Sequence, residues 1–206
     1  MVSKTKIGIV GTGRMGVLHL SKFSQMPEVE LIGIYEPLAH RALEIESKYK
    51  IQSFSSLQEL CFSSDGLIIA SPTPTHFSVA KMAMEMGCHV LIEKPFCETL
   101  EEAQQLQALA ETQQLVCQVG FLERFRLEAM MAGTPIPQSS HLECHRLSIS
   151  VGREASVDVV SDLMIHDVDL VLSITRELPL KISAEGFCVV TDHLDIAKAR
   201  LEFPSG

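Results

Sequence analysis

Three glycines stand at G-x-G-x-x-G spacing in the run Gly11-Thr12-Gly13-Arg14-Met15-Gly16. The apolar run Ile7–Val10 precedes them, and a helix-compatible stretch, Met15–Met26, follows. A glycine loop between a strand and a helix is a phosphate cradle. The first glycine permits the tight turn, the second lets the backbone approach a diphosphate, and the third lets the helix pack on the strand. Free N–H groups and the helix dipole then favour the negative charge. The sequence therefore points to a bound dinucleotide, with residues 11–16 holding its diphosphate.

Glu36 lies 20 residues past Gly16, at the end of the next apolar run. That is the position of a carboxylate that takes the ribose hydroxyls. An ionised Glu there repels a 2′-phosphate, so NAD is expected over NADP, although Arg41 nearby leans the other way. Ser71-Pro72-Thr73-Pro74-Thr75-His76 follows the run Leu67–Ala70. It falls at the carboxyl end of a strand, where such sheets bind ligands. Ser71, Pro72, Thr73 and His76 are candidate cofactor contacts, and Thr75 is a candidate helix cap. Glu93-Lys94-Pro95 ends the following strand and brings Glu93 and Lys94 to the same edge. A lysine there can stabilise a developing alkoxide.

Further along, Asp162, His166 and Asp169 are spaced by four and three, which places them on one face of a helix. His166 is a candidate general base and Asp162 a carboxylate that orients it. His141, Cys144 and His145 also cluster, but no fourth ligand is evident and no metal site is expected.

The elements that must position these residues alternate strand and helix over residues 1–120. Strands are expected at Ile7–Val10, Glu30–Tyr35, Ile51–Phe54, Leu67–Ala70, Val90–Ile92 and Val116–Val119. Helices are expected at Met15–Met26, Ala39–Tyr49, Leu57–Phe62, Thr75–Met86 and Leu100–Thr112. The strands are continuous apolar runs, the pattern of a parallel sheet covered on both faces. The fold class is α/β: a Rossmann doubly wound domain over 1–120, then a partial α+β domain over 121–206 with a largely antiparallel sheet. In the second part, helices are expected at Glu123–Met131 and Val157–Ile174, and strands at Leu142–Val151, Ile182–Thr191 and Ile196–Phe203. Gly87 should stop one helix, and Thr99 with Glu102 should form a capping box on the next.

The formal net charge of -9 argues against nucleic acid and against anionic membranes as partners. No run approaches the ~18 apolar residues of a membrane span, and no signal-peptide pattern opens the chain, so a cytoplasmic protein is expected. The six cysteines are scattered without a Cys-x-x-Cys pair and read as reduced core residues.

Taken together, the motifs resemble those of the glucose-fructose oxidoreductase/inositol dehydrogenase (Gfo/Idh/MocA) family. The matching pieces are Gly8–Gly16, Ser71-Pro72-Thr73 with His76, Glu93-Lys94-Pro95, Val119-Gly120-Phe121 with Arg124-Phe125, and Asp162 with His166-Asp167. The runs 119–125 and 158–167 are most similar to a subgroup that oxidises the 3-hydroxyl of UDP-N-acetylglucosamine; Met164 suits that subgroup, whereas Arg126 departs from it. The resemblance implies NAD-dependent hydride transfer at a sugar or nucleotide-sugar hydroxyl, with catalysis from Lys94, Asp162 and His166 and a cis Lys94–Pro95 bond. It also implies that a second domain limited to residues 121–206 lacks part of the family's sheet and much of the surface used for homo-oligomers. Two other readings stay open: a nucleotide-binding protein without catalysis, and an NADP-dependent reductase of another small substrate.

Overall fold

The computed structural model describes residues 3–131, 141–148 and 157–205. The chain divides into two units, Met1–Gly120 and Phe121–Gly206.

The first unit is built on a parallel sheet of β1 (Thr5–Val10), β2 (Val29–Tyr35), β3 (Gly66–Ile69), β4 (His89–Ile92) and β5 (Cys117–Val119). Their order is β2-β1-β3-β4-β5. The chain leaves β1 toward one side and returns for β3 on the other, so the switch point lies between β1 and β3. Successive strand residues face opposite sides, and both sides are buried. Ile9, Ile34 and Ile68 pack with Leu20 and Ile45, from α1 (Arg14–Phe23) and α2 (Ala39–Tyr49). Val10, Leu67 and Ile69 pack on the other side with Leu60 of α3 (Leu57–Ser63), Met84 of α4 (His76–Glu85) and Leu106 of α5 (Leu100–Gln113). This two-sided burial is why the strands read as unbroken apolar runs.

Local chemistry sets the helix ends. Ser56 accepts from the Glu59 N–H to open α3, and Thr99 and Glu102 form the expected capping box on α5. Gly87, at φ +85°, ends α4 in the left-handed region that glycine enters freely. Thr75 does not cap α4: its hydroxyl bonds back to the Pro72 carbonyl at 2.7 Å, closing a single 3-10 turn over Thr73–Thr75. The strand expected at Ile51–Phe54 reduces to one bridge between Ser53 and Ile34. Ile34 exchanges backbone bonds with Gln52 and Phe54, and the segment then turns away into α3.

In the second unit, α6 (Glu123–Met130) and α7 (Ile165–Thr175) are joined by the bidentate ion pair of Arg124 with Asp169. The helix expected over Val157–Ile174 starts later, at Val160, and its first turn, Val160–Met164, is π-helical. Residues 142–148 carry no regular secondary structure, because among the described residues no strand lies beside them to take their backbone bonds. Residues 149–151 of that expected strand lie outside the described residues. A hairpin of β6 (Lys181–Phe187) and β7 (Ile196–Glu202) pairs antiparallel in unbroken register. Its loop is tied by Asp195, whose carboxylate accepts from the N–H groups of Val189, Val190 and Thr191.

Cys61 and Cys88 are buried, Cys97 and Cys117 half-buried, and all six cysteines are free thiols. The core expectation fails for Cys144 and Cys188, which are exposed. Both lie in the second unit, where few residues are buried. Among the described residues, no helix is long and apolar enough to cross a membrane.

Candidate functional site

The carboxyl edge of the parallel sheet gathers most of the first unit's candidates. The residue after each strand still bonds to its neighbour: Gly11 N–H to Tyr35 O, Ala70 N–H to Val10 O, Glu93 N–H to Ile69 O and Gly120 N–H to Ile92 O, at 2.7–3.0 Å. The loops carrying residues 11–16, 71–76 and 93–95 therefore leave the sheet at one level.

The glycine loop has the geometry of a cradle. Gly11 is at φ +82°, and a Cβ there would lie 2.6 Å from the Ser71 backbone. A Cβ on Gly16 would lie 2.0 Å from the Gly11 carbonyl oxygen. Gly13 is the opposite case: a Cβ would meet nothing within 4 Å. Two glycines are thus required by the protein's own packing, and the third leaves open space at the start of α1, where no side chain caps the helix. A diphosphate fits that opening and its free N–H groups. Arg14 is exposed there and Met15 half-buried.

Glu36 faces this loop. Its Oε2 accepts from the Thr12 N–H (3.0 Å) and hydroxyl (2.8 Å), and Oε1 accepts from the Leu38 N–H (3.1 Å). Burial pushes its carboxyl up, but the Thr12 hydroxyl, the two N–H donors and the Arg41 charge together outweigh it and hold it below the ordinary value. Glu36 is thus ionised at neutral pH. The Arg41 guanidinium donates to the Thr12 carbonyl, at 2.9 Å from Nε. Thr12 is fully buried between the two.

His76 is 1% exposed, and its ring is committed to the fold. Nδ1 lies 2.9 Å from the Pro95 carbonyl oxygen and Nε2 2.8 Å from the Ser71 carbonyl oxygen. It ties the loop after β3 to the loop after β4. The Ser71 hydroxyl is bonded to Thr75, Pro72 is exposed, and Thr73 is half-buried. Glu93 is also turned inward: Oε1 sits 2.6 Å from Nε2 of His19, with both side chains about nine-tenths buried. Lys94 is half-buried, and the Lys94–Pro95 bond is cis, as the resemblance implies.

In the second unit, Asp162 lies in the π turn immediately before α7, and His166 in the first turn of that helix. Both are half-buried. Positions 166 and 169 share α7, and position 162 precedes them in the π turn. The π turn, with its i→i+5 bonds, changes the rotation between 162 and 166, a feature frequent at functional sites. Asp169 is taken by Arg124. Asp167 is held by Arg146, Nη2 to Oδ1 at 2.8 Å. Among the described residues no group of His, Cys, Asp and Glu could hold a metal ion.

His19 and the Arg124–Asp169 and Arg146–Asp167 pairs were not marked as functional by sequence reasoning. His19 had a usable signal, since it stands three residues past Gly16 on the same helix. The arginine pairs had none, because their partners are 45 and 21 residues away.

The profile of the oxidoreductase family with an NAD-binding Rossmann fold matches residues 5–121. A UDP-N-acetylglucosamine 3-dehydrogenase of Acidithiobacillus ferrooxidans is 36% identical over 204 residues, covering 98% of this chain and 64% of its own. A solved structure of that enzyme superposes with a TM-score of 0.90 at 35% identity, over 100% of this chain and 68% of its own. A scyllo-inositol 2-dehydrogenase (NAD(+)) of Bacillus subtilis is 25% identical over 225 aligned positions, 66% of its length. The chain thus spans just under two thirds of the length of these curated relatives.

Proposed function

Because the chain belongs to the Gfo/Idh/MocA oxidoreductase family with an NAD-binding Rossmann fold, we propose that it oxidises a hydroxyl carbon of a nucleotide sugar with NAD, in the manner of UDP-N-acetylglucosamine 3-dehydrogenase. The observation that carries this reading is the opening over Gly13, at the switch point of the sheet, between an uncapped helix start and the ionised Glu36. NAD, when bound, supplies the hydride acceptor.

The chain's own residues do the rest. The N–H groups at the start of α1 take the diphosphate. Glu36 accepts from the ribose hydroxyls after giving up Thr12 for them, and its charge disfavours NADP. His166 takes the proton from the sugar hydroxyl, Asp162 holds the imidazole in orientation, and Lys94 stabilises the charge that develops on the oxygen. The sugar class is supported by the 36% identity over nearly the whole chain to an enzyme named for UDP-N-acetylglucosamine.

The test is NADH formation from UDP-N-acetylglucosamine and from a panel of sugars and inositols, each with NAD and with NADP. His166→Ala should cut turnover by about 10²–10⁴-fold, the usual contribution of a general base, with the fold intact by circular dichroism. NAD binding with no NADH across the panel would favour the non-catalytic reading; faster reaction with NADP would favour the third.

A further inference from the structure

We propose that His19 is a positioning residue for Lys94, acting through Glu93, and that it couples the helix of the glycine loop to the lysine turn. The proposal rests on Lys94 acting in the reaction, as assigned above.

Three elements meet at the Glu93 carboxylate. Glu93 itself follows β4 and immediately precedes Lys94. His19 comes from α1, the helix that the glycine loop opens, and its Nε2 stands 2.6 Å from Glu93 Oε1. Gly120 follows β5, and a Cβ there would press to 3.3 Å on both carboxylate oxygens. Gly120 therefore leaves room for the carboxylate to turn inward, and His19 supplies a partner where it arrives. A buried carboxylate without a partner is costly, so the pair is held by more than chance contact. It is also nearly closed to water, at 11% and 10% side-chain exposure, so solvent screens it little.

The consequence falls on Lys94. Its backbone is gripped on the preceding side by the Glu93 side chain against His19, and on the following side by the Pro95 carbonyl against His76. Three secondary-structure elements, α1, α4 and β5, thereby fix where the lysine leaves the sheet. Misplacement of a reacting group by about 1 Å costs on the order of 10²-fold in rate. A cofactor that settles on the start of α1 would meet a lysine already tied to the same helix.

The experiment uses the full chain and compares His19→Phe with His19→Gln. Phe fills the volume and cannot bond to Glu93; Gln keeps an N–H at similar reach. Thermal unfolding of both variants identifies any loss of fold, and Glu93→Gln, which keeps the shape and removes the charge, provides a second probe from the other side of the pair. In His19→Phe, kcat should fall about 10- to 100-fold while KM for NAD changes less than about twofold, and His19→Gln should recover most of the loss. In parallel, the Nζ signal of Lys94 is followed by NMR after reductive ¹³C-methylation, with the resonance identified by its loss in Lys94→Arg. It should shift in His19→Phe and Glu93→Gln and return toward wild type in His19→Gln. This signal is read whether or not the protein turns over. An unmoved Lys94 signal, or Phe and Gln behaving alike, overturns the proposal. Normal turnover in Lys94→Ala instead overturns the assignment of Lys94, and the NMR comparison still reports on His19.

Discussion

Replacing Gly13 by Ala separates what the glycine loop does for the ligand from what it does for the fold. At φ -61° and ψ -168° the backbone of Gly13 is one that alanine adopts, and the new methyl meets nothing within 4 Å. Restricting the unfolded chain stabilises by about 0.4–1 kcal/mol. Against this, alanine is a poorer N-cap than glycine, by about 0.5–1 kcal/mol. The two nearly cancel, so the melting temperature should stay within about 4 °C of wild type. The methyl does, however, occupy the space proposed for the diphosphate. Losing one charge-assisted hydrogen bond costs about 1.5–3 kcal/mol, which is a rise of about 10- to 150-fold in Kd for NAD. Gly16→Ala is the contrasting case. Its methyl would lie 2.0 Å from the Gly11 carbonyl oxygen, so backbone must move, at about 1–3 kcal/mol or more. Calorimetric titration with NAD and thermal unfolding of both variants give the four numbers needed. A Gly13→Ala protein that binds NAD as tightly as wild type refutes the placement of the diphosphate over Gly13.

Other outcomes follow from the same structure. Leu60→Ala, at a fully buried position packed on Gly8, should cost about 2–5 kcal/mol in urea unfolding with an unchanged m-value. The Asp195 carboxyl, held down by the N–H groups of Thr191, Val190 and Val189, lies well below the ordinary aspartate value of 3.8. A depressed folded-state pKa gives stability that is present above 3.8 and lost as pH falls through the lower folded value. The amide signals of residues 189–191 should therefore hold through pH 4 and move only in stronger acid, and movement near the ordinary value would contradict this. Cys188 and Cys144 are exposed and should alkylate in the native protein, Cys144 more slowly because partial desolvation of its sulfur and then the Asp167 charge raise its thiol. Cys97, pushed up to about 11 by burial and then by Glu102 and Cys117, should resist at neutral pH, as should the buried Cys61 and Cys88. Mass spectrometry of the labelled peptides checks the order.

The first unit was legible because its signals are local. Apolar runs bounded by glycine or proline became β1, β3 and β4, and Thr99 with Glu102 capped α5 as the spacing required. Spacing likewise marked Gly11, Gly13 and Gly16, although the Ser71 backbone that Gly11 approaches lies far along the chain. What the spacing did not carry is where side chains end. Glu36 turns to Thr12, 24 residues away, and Glu93 to His19, 74 away; His76 closes on two carbonyls of neighbouring loops. The π turn at Val160–Met164 leaves no mark in hydrophobic spacing. The strand expected at Leu142–Val151 rested on alternation alone, and alternation does not supply a partner strand.

The most direct test of the account is a calorimetric comparison of NAD with NADP on the wild-type chain and on Glu36→Gln. The account predicts saturable binding of NAD at one site and weaker binding of NADP. It also predicts that the gap narrows when the Glu36 charge is removed. No saturable binding of either nucleotide, or a preference indifferent to Glu36, would contradict the claim that the loop from Gly11 to Gly16 and the carboxylate beside it hold NAD.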